Sequence, residues 1–291
     1  SSDLAYVSGT MAHSYIQLHD TELEAFTEYA THNPTNSIFL VDTYDTLLSG
    51  VPNAIKVAKE VLEPKGNRLK AIRLDSGDLA YLSKEARKQL DAAGLQDCKI
   101  MASNSLDEYI IDDLIYQGAA IDQFGVGENL ITSKSEPVLG GVYKLVAEER
   151  GDEIIPKIKV SDNIEKITNP GYKRLYRFYD NNTNKALADY IALADEVIPT
   201  DTITIFDPSA TWKKKTLTNY QIRELQVPVF VEGQCVYELP NLHEVQIYSK
   251  KEMETMWDEV KRLHYPHNYY VDLSQKLYDM KISLLHDLTE N

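Results

Sequence analysis

The chain has 291 residues, 43% hydrophobic and 26% charged, the composition of a folded globular protein and not of a disordered one. Its formal net charge of −15 repels phosphate backbones at long range and argues against nucleic acid as a partner. Cys98 and Cys235 lie far apart with no CxxC spacing, which points to a reducing, cytoplasmic setting and away from structural zinc, and apolar runs such as Ile38 to Val41 are far too short to span a membrane.

Ser1-Ser2-Asp3-Leu4 runs at once into a strand-like segment and its turn at Ser8-Gly9-Thr10, so the chain is expected to begin inside a fold. From there to residue 140, short apolar runs alternate with amphipathic stretches. Residues 5–7, 38–41, 69–74, 99–102 and 119–124 predict strands, and 21–29, 53–62, 79–93 and 107–117 predict helices. Pro52 suits a helix start, and Gly94 and Gly118 suit helix stops. This alternation implies right-handed βαβ units and a parallel sheet. Such a run of strands fits part of an irregular TIM-like (β/α) barrel better than a whole open sheet. A first domain, 1–140, is expected to carry the functional rim.

After Gly140-Gly141 the pattern changes. Residues 142–148, 154–160, 172–179, 188–193, 202–206 and 227–236 predict short strands, with turns at Asp180-Asn181-Asn182 and Glu232-Gly233. Residues 250–263 and 273–288 return to helix. The second domain, 141–291, therefore reads as mixed α+β and largely antiparallel, so the whole chain is of the α/β class.

Ligands of parallel α/β folds bind at the carboxyl ends of the strands. Each predicted strand end here is polar. The first delivers Ser8-Gly9-Thr10, then His13-Ser14; the second, Asp42-Thr43-Tyr44-Asp45; the third, Arg73 and Asp75-Ser76-Gly77-Asp78. The fourth delivers Ser103-Asn104-Ser105 and the fifth Gly125-Val126-Gly127-Glu128. Each piece has an ordinary explanation. A lone His13 is more often a hydrogen-bonded structural residue, Arg73 and Asp75 can form a local ion pair, and Ser105 suits a helix N-cap. Asp42, Asp45 and Gly50 superficially suggest a phosphoribosyl-diphosphate loop, but that loop needs adjacent acids followed closely by Thr-Gly. The case for a site rests on five polar ends in order along one rim.

In order and spacing, Gly9-Thr10-Met11-Ala12-His13-Ser14, Val41-Asp42-Thr43-Tyr44-Asp45-Thr46, Arg73-Leu74-Asp75-Ser76-Gly77-Asp78, Ala102-Ser103-Asn104 and Gly125-Val126-Gly127 resemble the nicotinate phosphoribosyltransferases. Gly141-Val142-Tyr143-Lys144-Leu145-Val146, Glu165-Lys166 and Pro170-Gly171 continue the likeness, which thins after about residue 180. The resemblance implies a decorated TIM-like barrel with a second domain, and a homodimer with its active site near the subunit interface. It implies that nicotinate and phosphoribosyl diphosphate give nicotinate mononucleotide and pyrophosphate, assisted by Mg2+ and coupled to ATP hydrolysis, on the way to NAD. It makes His13 the histidine that becomes phosphorylated. Thr10 and Arg73 match the positions that hold nicotinate, and Gly125, Gly127 and the backbone of Glu128 match the ribose 5-phosphate turn. Ser14, Ser76, Gly77, Ser103 and Asn104 are expected to bind substrate on the same rim. The family's aromatic partner for the pyridine ring lies upstream of the part matched here.

The chemistry agrees with that assignment. Cleaving the C1–O bond to pyrophosphate develops oxocarbenium character, which a fixed carboxylate stabilises; Asp75 and Asp42 are the candidates. Arg73 offers the bidentate fork a planar carboxylate needs. Where family members often carry Thr, Glu128 would repel phosphate if its side chain turned inward. A nicotinamide or quinolinate phosphoribosyltransferase is the nearest rival, and a non-catalytic folding or dimerisation module is the rival from another class. An aldolase-like barrel carries little weight, because no Schiff-base lysine stands at a strand end of this sequence. His19, His32, His243, His264 and His267 read as surface or structural residues.

Overall fold

The computed structural model describes residues 10–138, 140–162 and 166–289. The predicted strand at 5–7, together with Ser8, Gly9 and Glu165, lies outside the described residues. The chain divides into two compact units that meet in sequence between Gly140 and Gly141.

The first unit opens with a short helix, α1 (His13–Gln17), and a longer one, α2 (Glu22–His32). Thr21 caps α2 in a full capping box with Glu24, which satisfies two otherwise orphaned backbone donors. Strand β1 (Ile38–Leu40) leads into a continuous helical run, two π-type turns (46–50 and 58–62) around helix α3 (Val51–Val57). Strand β2 (Ala71–Leu74), helix α4 (Leu79–Ala92), strand β3 (Lys99–Ala102), helix α5 (Glu108–Tyr116), strand β4 (Gln123–Phe124) and helix α6 (Glu128–Ile131) complete the unit.

The four strands pair in the order β1-β2-β3-β4, all parallel. No sheet closes on itself among the described residues. The predicted strand at 119–124 shrinks to its last two residues, because the preceding segment holds itself by other bonds, such as Ala119 N–H to the Leu114 carbonyl. Ser105 is not the cap of α5. Asp107 takes that place, accepting from the Tyr109 and Ile110 amides, while Ser105 adopts φ 48°. The core is apolar and fully buried, with Phe26 stacked on Phe39 at 4.7 Å and Leu40, Ile72, Leu74 and Ile100 around them. Cys98 belongs to this core, and burial pushes its thiol up to about 12, far from reactive.

In the second unit, a hairpin of β5 (Ala147–Arg150) and β6 (Glu153–Pro156) comes first. The predicted strand at 142–148 is thus mostly irregular chain. Strands β7 (Lys173–Asp180), β8 (Ala186–Leu193), β9 (Thr202–Asp207), β10 (Ala210–Thr218) and β11 (Tyr220–Glu224) follow. A small hairpin, β12 (Phe230–Val231) with β13 (Gln234–Cys235), turns at Glu232-Gly233. Helix α7 spans Leu242–Thr255, eight residues earlier at each end than the predicted 250–263, because Asn241 and Glu244 form a capping box there. Strand β14 (Val271–Leu273) and helix α8 (Gln275–Thr289) end the described chain.

The main sheet of this unit runs β11-β7-β8-β14, antiparallel except for β14, which lies parallel to β8. Phe178, Tyr190 and Tyr220 meet edge to face above it. Arg177 grips Asp189 with two hydrogen bonds of 2.6 and 2.9 Å, and the Tyr269 hydroxyl donates to the same carboxylate. Arg223 clamps Glu252 of α7 at 2.9 and 2.6 Å. Asp272 is 3% exposed, and burial together with Asp207 pushes its carboxyl up to about 6 against the opposing pull of Lys215. No described helix is long and apolar enough to cross a membrane.

Candidate active site

The sheet pairing itself assembles the site. Leu40 pairs with Arg73, Arg73 with Met101, Leu74 with Ala102, and Ala102 with Phe124. The ladder continues one step further, with Val41 N–H bonded to the Arg73 carbonyl, Ser103 N–H to Leu74 and Gly125 N–H to Ala102. The residues just past the four strands therefore come level at one edge. They include Asp42, Asp75, Ser103 and Gly125, the residue types picked out in the sequence.

Asp42 is the fixed point. Its side chain is only 2% exposed; Oδ2 accepts the Asp75 amide at 2.8 Å and the Ser76 hydroxyl at 2.7 Å. Its Oδ1 is buried with no hydrogen-bond partner among the described residues and stands 3.8 Å from His13 Nε2. Asp75 is bound on its other side by the Ser103 hydroxyl, which donates to Oδ1, while Oδ2 stands 3.7 Å from His13 Nε2. His13 is the first residue of α1, and its Nδ1 meets Thr43 Oγ1 at 3.1 Å. The ring is held between two carboxylates and a hydroxyl.

Arg73 completes the rim. Its NH1 donates to Thr10 Oγ1 at 2.7 Å, and its buried Nε has no partner among the described residues. The local Arg73–Asp75 ion pair does not form; among the described residues Arg73 has no carboxylate within salt-bridge range. Arg73 is thus without an acid among the described residues, in a chain with 45 acidic residues against 30 basic ones.

The remaining candidates are less constrained by the protein. Ser14 is exposed on α1. Gly77 has φ +78°, and a Cβ there would come within 2.9 Å of Leu82 Cδ1, so glycine serves the turn itself. Asn104, at φ 94°, is exposed and begins a left-handed pair with Ser105. Gly125 lies close to Ser103, where a Cβ would meet the serine Cβ at 3.3 Å, but a Cβ on Gly127 would meet nothing within 4 Å. Glu128 is the exposed first residue of α6.

Three structural roles escaped the sequence reading. Thr43 was visible in its motif, but nothing in a spacing of thirty residues announces its contact with His13. Asn129 is buried and donates to the Ser105 and Leu106 carbonyls, holding the turn after β3. Gly50 packs under Val41, which explains the glycine set aside as a false phosphate loop. Among the described residues, no cluster of three or more His, Cys, Asp or Glu is poised to hold a metal.

Comparison with known proteins shows what the chain is similar to. Residues 172–281 match the family described as nicotinate phosphoribosyltransferase C-terminal domain. A protein named nicotinate phosphoribosyltransferase from Bacillus subtilis is 45% identical over 97% of this chain and 57% of its own length. The human protein of that name is 33% identical over 91% of this chain and 50% of its own. The chain thus spans about half the length of the curated relatives it matches. Among solved structures, human nicotinic acid phosphoribosyltransferase superposes with a TM-score of 0.70 at 28% identity, over 94% of this chain and 54% of that one. A nicotinate-nucleotide pyrophosphorylase from Pyrococcus furiosus, at TM-score 0.51 and 21% identity over 85% of this chain and 55% of that one, shares the fold. By sequence across nearly its whole length and by structure, the chain is similar to the nicotinate phosphoribosyltransferases, and its residues 172–281 match that family's C-terminal domain.

Proposed function

We propose that this rim joins nicotinate to phosphoribosyl diphosphate, giving nicotinate mononucleotide and pyrophosphate, with ATP hydrolysis coupled through His13. The observation that carries the reading is the grouping of His13, Asp42 and Asp75 within 3.8 Å beside an Arg73 that lacks a carboxylate among the described residues. Arg73 takes the pyridine carboxylate, with the Thr10 hydroxyl holding the fork in place. Asp75, fixed by the Ser103 hydroxyl and by its own backbone N–H donating to Asp42, faces the ribose carbon as positive charge develops on it. The backbone of the turn from Gly125 to the open Gly127 receives the 5-phosphate, with the exposed Glu128 contributing its amide and turning its side chain to water. Ser14, Ser76, Gly77 and Asn104 line the same edge.

Magnesium is bound in such sites by one or two carboxylates plus substrate phosphates, and Asp75 with the unpartnered oxygen of Asp42 fits that demand. When bound it neutralises charge on the departing diphosphate. The four parallel strands belong, in this reading, to a TIM-like barrel, and the working enzyme is a cytoplasmic homodimer with the site near its interface. A nicotinamide phosphoribosyltransferase is the less suited alternative, since its neutral amide leaves the Arg73 charge unmatched.

The test is His13→Ala in the intact enzyme. It should abolish incorporation of acid-labile label from γ-labelled ATP and abolish ATP hydrolysis, while slow, ATP-independent synthesis of the mononucleotide persists. Wild-type labelling in the variant would remove His13 from the reaction.

A further inference from the structure

We propose that the second unit binds a nucleotide in the cavity between the β9–β10 turn and the chain that leads from α7 into β14, with the sugar hydroxyls on Asp272. The lining shares no residue with the rim described above, and the proposal does not rest on the reaction assigned to that rim.

The cavity measures about 780 Å³, within the ~300–1,000 Å³ usual for small-molecule sites. Asp272 on β14 lines it while only 3% exposed. Its carboxylate has no hydrogen bond and no ion pair among the described residues. A buried acid without donors is a cost to folding, and burial with the nearby Asp207 pushes its carboxyl up to about 6. A purely structural role at this position is better met by an apolar side chain or an amide. A ligand that brings hydrogen-bond donors to Asp272 offsets the cost.

The surroundings select those donors. A cation is disfavoured, because Lys215 already acts on Asp272, its Nζ lying 4.9 Å from the centre of the Tyr270 ring. Among the described residues no group of three or more His, Cys, Asp or Glu could hold a metal ion. Neutral hydroxyls remain, and two on adjacent carbons match the two acceptor oxygens of one carboxylate.

The rest of the lining supplies the other parts of the ligand. Lys213 stands 4.0 Å from Asp207, whose Oδ1 is already taken by the Ser209 amide at 2.8 Å. Arg262 stands 3.7 Å from Glu259. Both separations exceed hydrogen-bond reach and both cations are mostly exposed, so each can turn to an anion without losing a close partner. Tyr265 is 93% exposed at φ 50°, a left-handed backbone that bulky residues rarely adopt. That conformation holds a flat aromatic ring out in water, where a base can stack on it. Hydroxyls on Asp272, a ring on Tyr265 and an anion at Lys213 and Arg262 together describe a nucleotide.

The test measures binding of adenosine 5′-monophosphate and of its 2′,3′-dideoxy analogue to the intact enzyme by titration calorimetry. Wild type should prefer the full nucleotide by about tenfold or more, the worth of hydrogen bonds to a charged acceptor. Asp272→Asn keeps the shape but only one acceptor oxygen, so it should remove most of that preference by weakening the full nucleotide alone. Arg73→Lys, a change in the rim, should leave both affinities as they are. Lys213→Ala with Arg262→Ala should weaken the monophosphate while adenosine binding stays put. A thermal melt of Asp272→Asn at neutral pH, where loss of the buried charge should raise the midpoint, separates lost binding from lost fold. Wild type that binds no adenosine monophosphate at millimolar concentration, or binds both nucleotides equally, overturns the proposal. So does a preference that survives Asp272→Asn or disappears in Arg73→Lys. Binding of Mg2+ alone that Asp272→Asn abolishes would make this a metal site and overturn the nucleotide reading as well.

Discussion

Gly50 lies against the backbone of Val41 so tightly that a Cβ on it would stand 1.8 Å from the Val41 carbonyl oxygen. Val41 is the residue before Asp42, so the helical run that follows β1 presses directly on the strand end that carries the buried carboxylate. Gly50→Ala should therefore cost more than about 3 kcal/mol, the upper range for overpacking, because the obstruction is main chain and not a movable side chain. Denaturant melts of the variant against wild type measure it. A variant of unchanged midpoint would mean that the contact is relieved by motion of the run.

Arg73→Lys tests the anion site. Lysine keeps the charge but loses the fork and the bond to Thr10, so nicotinate binding should weaken by ~2 kcal/mol or more, about thirtyfold. Preference for nicotinate over nicotinamide should narrow in parallel. Titration calorimetry with both ligands reads the two numbers, and unchanged nicotinate affinity would reassign the guanidinium.

Gly127→Val separates the phosphate turn from the rest of the rim. The protein leaves open space where its Cβ would sit, so stability should change by less than about 1 kcal/mol. The branched side chain would still block close approach of a phosphate to the amides. The KM for phosphoribosyl diphosphate should rise while nicotinate binding barely moves. A loss confined to nicotinate would give the turn to the other substrate.

Asp272 gives a pH signature far from the chemistry. Its carboxyl is raised from 3.8 to about 6 by burial and by Asp207, with Lys215 opposing and Tyr190 paired across from it. The folded state thus prefers the protonated acid. That preference is fully felt below pH 3.8 and is lost as pH rises toward 6, so ionisation above 6 costs up to about 3 kcal/mol. Asp272→Asn should stabilise the protein at pH 7 to 8 and add little near pH 4. Melting curves at both ends decide; equal gains at both would mean that ionisation is not the cause.

The sequence made some of this legible and hid the rest for physical reasons. Parallel strands read well where they were continuous apolar runs, as at Ile38 and Ile100, because both faces are buried. Strands β10 and β11 escaped notice: Lys213, Lys214 and Lys215 fall in the middle of β10, and its exposed face carries the charge. Helix α7 was placed late because its apolar residues are all exposed, so periodicity said little, whereas the Asn241–Glu244 cap would have fixed its start. At the site, strand ends foretold which residue types gather. They did not foretell the partners, since Ser103 with Asp75 and Thr43 with His13 are joined by tertiary register rather than by spacing.

The level rim has a consequence for how such a chain can change. The residues that meet there lie one step beyond the strands, outside the packed cluster of Phe26, Phe39, Leu40, Ile72 and Ile100. Of them, Asp42 is the one whose buried carboxylate accepts a neighbouring strand end's amide, that of Asp75. Ser103, Ser76 and Thr43 are then free to drift in identity at small cost to folding, and selection on substrate can act on them one at a time. Asp42 cannot drift, because replacing it alters chemistry and architecture together, and a lineage that abandons this reaction should lose it last.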